Sequence, residues 1–126
     1  MNSFSTHILG RISAGPPTFS PPDEEVFDFA EFFCAPNRFM LRVRGDDLHH
    51  SGIRHGDLLL IRHSTRARSG DLVLALVDGQ DTQLRFYRQH PNNIELYSEP
   101  GQSMSYAPRR IEIQGVLIAQ LRLWRH

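Results

Sequence analysis

Three observations in the sequence predict an antiparallel, mostly β domain behind an extended N-terminal arm. Apolar residues alternate with polar ones, or run unbroken for a strand's length, in several segments after Phe39. Turn-forming Gly, Pro and Asn residues separate these segments. Before them lies a stretch, "SAGPPTFSPPDEE", with four prolines and three closing acids. It offers few backbone donors and no periodic apolar face. The expected organisation is an arm or tether over residues 1–25 and a single β domain over 26–126.

"DFAEFF" predicts a short helix, with Asp28 as N-cap, Glu31 three residues later in a capping-box pattern, and Pro36 as the stop. "FMLRVR" sets Phe39, Leu41 and Val43 against Met40, Arg42 and Arg44, the period of a half-buried strand. "DLLLIRH" is a continuous apolar run and predicts a strand buried on both faces. "DLVLALVDG" repeats that character and ends in the turn signal Asp78-Gly79. "DTQLRFYRQ" is its expected hairpin partner, with Leu84 and Phe86 on one face. "NNIELYS" starts a further strand after an Asn-Asn turn. "IEIQGVLIAQLRLW" closes the chain, with Gly115 as a bulge or bend. No internal repeats are apparent.

The 126 residues suit one modest core. Formal net charge is zero, so charge alone calls for neither nucleic acid nor an anionic membrane. All 14 basic residues are arginine. Without lysine there is no side-chain amine to serve as a base or Schiff-base former. The single cysteine, Cys34, lies in the apolar run "FAEFFCAP" and is expected in the core. One cysteine cannot form an intrachain disulfide, and no apolar leader or membrane-span segment is present, so a cytoplasmic location is expected.

"GDDLHHSGIRHGDLLLI" is similar to a signature of the LexA/UmuD family: G-D-S-M, then G-I, then G-D-L-L. "SGDLVLALVDGQDTQLRF" resembles the family's next block, G-D-[IV]-V, then V-D-G, then T-V-K-[KR]-L. "IQGVLIAQL" looks like its closing strand. "SAGPP" resembles its Ala-Gly cleavage site and Pro-rich arm. The resemblance runs from about residue 13 to the end, and four blocks in order make it specific. It implies the β-clip fold of that family's C-terminal domain. The segment before the arm is too short for a winged helix, which points toward UmuD, an accessory subunit of an error-prone polymerase.

The family's chemistry is a Ser-Lys dyad, with the serine attacking the Ala-Gly bond and a neutral lysine as base. By the resemblance, Asp47 falls on the serine and Leu84 on the lysine. Leucine carries no proton. Arg85 stays charged and, by strand alternation, faces away from residue 84. The expectation is a pseudo-peptidase without catalytic residues, with Ala14-Gly15 as a relic cleavage site open only to cutting in trans. Ala-Gly is also an ordinary dipeptide.

Other candidates each have a plainer reading. Ser51 beside His49 and His50 suggests a rearranged serine site, but Ser-Gly is a common turn. Asp46, Asp47, His49, His50 and His55 are metal-ligand types, yet loop residues converge on one ion only when held rigidly. Arg62, Arg66 and Arg68, and the pair Arg109-Arg110, suit phosphates or simply solvent. The expectation is therefore no metal and no cofactor. The apolar C-terminal strand suits a core or a dimer edge.

The function expected is a UmuD-like regulatory subunit in SOS translesion synthesis. Its partners would be an error-prone polymerase, a RecA filament, or a second protomer in a homodimer or a UmuD-type heterodimer. A self-cleaving peptidase with a rearranged site and a repressor-derived dimerisation or antirepressor module are the alternatives.

Overall fold

A computed structural model describes residues 5–8, 14–15, 25–99 and 101–124. The chain divides into two compact units, residues 1–36 and 37–126. The short helix falls within the N-terminal unit. The prolines of the arm lie outside the described residues.

In the first unit, β1 (Ser5–Ile8) pairs antiparallel with β2 (Glu25–Asp28). Helix α1 (Phe29–Phe33) follows directly. Its N-cap is Asp28, whose carboxylate accepts from the Glu31 N–H at 3.0 Å, as the sequence predicts. Phe27, Phe29, Phe32 and Phe33 form a cluster of edge and stacked rings. Cys34 does not join a core. It sits at the C-cap of this five-residue helix, past the last turn, and is exposed.

The second unit is one antiparallel sheet. Its strands are β3 (Arg38–Arg42), β4 (Leu58–His63), β5 (Leu72–Val77), β6 (Asp81–Gln89), β7 (Ile94–Glu99), β8 (Gln102–Tyr106) and β9 (Ile111–Leu121). The order across the sheet is β3-β4-β9-β5-β6-β7-β8. The mostly β, antiparallel class is as the sequence predicts. Strand β8 was not anticipated: "QSMSY" is mostly exposed and carries little apolar alternation.

Strand β5 shows why an unbroken apolar run is needed. Val73, Ala75 and Val77 enter one core cluster with Tyr87, Leu96 and Ile113. Leu72, on the other face, enters a second cluster with Leu48, Leu59 and Ile61, against which Leu84 and Phe86 pack. A strand covered on both sides cannot alternate with polar residues.

Strand β9 changes phase between these clusters. Its register against β5 slips between Leu74 and Ala75, leaving Gln114 as an extra residue beside Gly115. Ile113 and Val116, three apart, thus reach the same cluster. Gly115 is also a contact point: a Cβ there would collide with Ile61 Cγ2 and lie 3.0 Å from the Arg62 carbonyl oxygen. Gly115→Ala is expected to cost about 2–3 kcal/mol through overpacking. Urea unfolding of the two proteins measures it, and an unchanged midpoint would contradict the packing account.

Against the expectation of no internal repeat, the short motif R-x-G-D-L-x-L occurs twice, as Arg54–Leu60 and Arg68–Leu74, and makes the same turn each time. Asp57 Oδ2 accepts from the Arg54 N–H at 2.8 Å, and Asp71 Oδ2 accepts from the Arg68 N–H at 2.8 Å. Each Asp N–H donates back to the Arg carbonyl at 3.0 Å. Gly56 and Gly70 take φ of 92° and 99°, where a side chain would be strained. These turns launch β4 and β5. At the β5–β6 hairpin, Asp78 and Gly79 are both left-handed, with φ of 54° and 68°.

Two strand edges are only partly covered. Strand β7 pairs with β6 from Phe86 onward, so Asp81–Arg85 has β5 on one side and no strand among the described residues on the other. Beyond Val116, β9 has β4 alone as partner among the described residues.

Candidate functional site

The candidate site is a cleft of about 260 Å³ between the 41–48 segment and β6. Leu41, Val43, Leu48, Leu59 and Leu84 supply its apolar lining, and Asp47, Thr82, Gln83 and Arg85 its polar one. The two positions that the resemblance sets against the dyad, Asp47 and Leu84, thus share one cleft.

The loop carrying Asp47 is closed at its base. The Val43 N–H donates to the Asp57 carbonyl at 2.8 Å, and the Gly56 N–H donates to the Val43 carbonyl at 2.9 Å. Leu48 and Ile53 anchor it as buried side chains. Between them lies a 3-10 turn, His49–Ser51, ended by Gly52 at φ 84°. The anchors leave Asp47 outside, with its side chain 79% exposed.

Leu84 packs against the second core cluster. Arg85 is a correction to strict alternation. Its register partner Val73 belongs to the first cluster, so its stem starts on the far face. The guanidinium nevertheless returns round the bare edge of β6. Nη1 donates to the Leu84 carbonyl at 2.8 Å, and Nη2 lies 3.6 Å from Asp47 Oδ2. A long side chain beside an uncovered strand edge is not confined to one face.

The remaining candidates separate. His49 Nδ1 lies 2.7 Å from the Asp46 carbonyl oxygen. His50 Nε2 pairs with Glu99 at 2.8 Å. His55 Nδ1 accepts from the Gly45 N–H at 3.0 Å. Neither His49 nor His50 bonds the Ser51 hydroxyl, so the structure sets no base against it. Among the described residues no three metal-ligand side chains converge. Arg62, Arg66, Arg68 and Arg109 are exposed. Arg110 instead forks onto Asp78 at 2.5 and 2.7 Å, holding that carboxyl below its usual range. Ala14 and Gly15 are exposed within the N-terminal unit.

Sequence reasoning missed the residue that secures the loop. Asp57 is 1% exposed. Its carboxylate accepts from Arg122 Nε at 2.6 Å, Arg122 Nη2 at 2.7 Å, Gln120 Nε2 at 3.0 Å and the Arg54 N–H. The Arg122 guanidinium, above all, holds the Asp57 carboxyl far below the ordinary carboxylate range, against the opposing effect of burial. The available signal was the twin G-D turn, whose Asp side chain caps the turn in both copies. Nothing local signalled Arg122, which is 65 residues away.

The chain belongs to the Peptidase S24-like family, whose pattern matches residues 7–118. It is 35% identical over 127 aligned positions to the LexA repressor of Moorella thermoacetica, and 36% over 124 to that of Syntrophobacter fumaroxidans. The alignments cover 99% and 96% of this chain and 60% of each repressor. No helix among the described residues is long and apolar enough to cross a membrane.

Proposed function

We propose that this chain is a non-cleaving S24-family protein that acts by binding within the SOS response, in the manner of a UmuD-like regulatory subunit. One observation supports the reading: the cleft that the resemblance sets against the dyad is lined by Leu84 and by Asp47 and Arg85, which pair at 3.6 Å, with no histidine or lysine among its lining residues. An aspartate attacking a peptide would give an unstable anhydride, and arginine stays protonated at working pH. The partners proposed are an error-prone polymerase, a RecA filament or a UmuD-type protomer in the cytoplasm. The uncovered edge of β9 beyond Val116 supports pairing with a second protomer, as homodimer or heterodimer.

The LexA relatives favour a second reading, a repressor-derived dimerisation or antirepressor module. Co-purification with an error-prone polymerase distinguishes it from the first.

Intact mass after alkaline incubation, and after incubation with RecA, single-stranded DNA and a nucleotide triphosphate, tests the absence of cleavage. An unchanged mass is expected. Cutting between Ala14 and Gly15 in the unaltered protein would overturn the proposal in favour of a rearranged peptidase site.

A further inference from the structure

Behind the loop that carries Asp47 lies a second cavity, of about 360 Å³. Arg42, Arg54, His55 and Arg122 line it, with Leu58, Leu121 and Leu123 as apolar walls. Its one carboxylate, Asp57, is already saturated by Arg122, Gln120 and the Arg54 backbone. Arg42 spends one N–H on the Gly56 carbonyl, at 3.1 Å. No carboxylate among the described residues pairs with Arg42 or Arg54. His55 Nδ1 accepts from Gly45, so the neutral ring carries its proton on Nε2 and is a donor there.

The structure assigns to this cavity a binding site for a phosphate dianion: inorganic phosphate or a terminal phosphate monoester. Three arginines line the cavity against one carboxylate, a formal excess of two positive charges. A phosphate monoester carries about −1.5 to −2 at neutral pH and balances them, whereas a single carboxylate or phosphodiester does not. Guanidinium forks match phosphate oxygens in pairs. The free N–H groups of Arg42, Arg54 and Arg122, with His55 Nε2, outnumber what one carboxylate accepts. No part of the site belongs to the dyad cleft except Arg42, which borders both.

Calorimetric titration of the whole chain with inorganic phosphate at constant ionic strength tests the assignment. Saturable binding is expected, with a dissociation constant of about 1 mM or tighter. Arg54→Gln should weaken it roughly ten-fold without changing the melting temperature in phosphate-free buffer, since that side chain makes no hydrogen bond or ion pair among the described residues. Arg42→Gln should also weaken it. A 5′-phosphorylated single-stranded oligonucleotide should bind better than the same strand without the end phosphate. No saturable binding, or equal binding by wild type and Arg54→Gln, would overturn the site. Equal binding by the unphosphorylated strand or by a short polyglutamate peptide would overturn its assignment to a phosphate dianion.

Discussion

The double substitution Asp47→Ser with Leu84→Lys is expected to turn an uncut chain into one that cleaves itself at Ala14-Gly15. The gain should be on the order of 10⁴-fold or more over the unaltered protein, because nucleophile and base act as a unit. For the same reason each single variant should stay near the starting level. Leu84→Lys alone would leave the new ammonium in the cleft with Asp47, which favours its charged form and removes the base. Asp47→Ser alone has no base at all. Together the changes remove the carboxylate and leave Arg85 close by. Partial burial and that neighbouring cation both disfavour the charged lysine, lowering its pKa from about 10.4. Cleavage should therefore rise with pH and level off below the ordinary lysine value. Mass spectrometry against pH measures both the site of cutting and the profile. A double variant that remains intact at every pH, while folded by circular dichroism, would show that more than the dyad has been lost.

The parts of this molecule legible in the sequence are those set by local rules. The Asp28 cap, the Asp78-Gly79 hairpin, the doubly buried β5 and the phase change beside Gly115 follow from short-range sterics and periodicity. So does the family, because its blocks are short and ordered. Three features escaped, two of them because they depend on groups far apart in the chain. Cys34 looked buried because its neighbours are apolar, but the helix ends before it can turn inward. Arg85 looked remote from the cleft because alternation fixes Cβ, not a guanidinium several bonds away. Asp57 looked like one letter of the G-D-L-L block, with nothing nearby to mark Arg122 as its partner.

Asp57→Ala is expected to destabilise the domain by about 2–4 kcal/mol, a large part of the stability of a typical small domain. The carboxylate is buried and accepts four hydrogen bonds, three of them from side chains of β9 or the residue after it. Arg122 is 44% exposed, so it regains water when the carboxylate goes, and the cost falls short of a fully buried pair. Gln120 and the Arg54 N–H lose a partner with less recourse. The pH dependence has a definite sign. The folded-state pKa of Asp57 is depressed below its unfolded value of about 3.9. Its stabilisation is therefore complete above that value and is lost as the pH falls below it. Urea unfolding should show wild type well above Asp57→Asn at neutral pH, with the gap shrinking between about pH 4 and pH 2. Because Asp57 also closes the base of the 43–57 loop through its backbone, the Val43 and Gly56 amides should exchange faster in Asp57→Ala than the β5 amides do. Equal loss of protection across loop and sheet would instead mean that Asp57 supports the whole domain and not the loop that carries position 47.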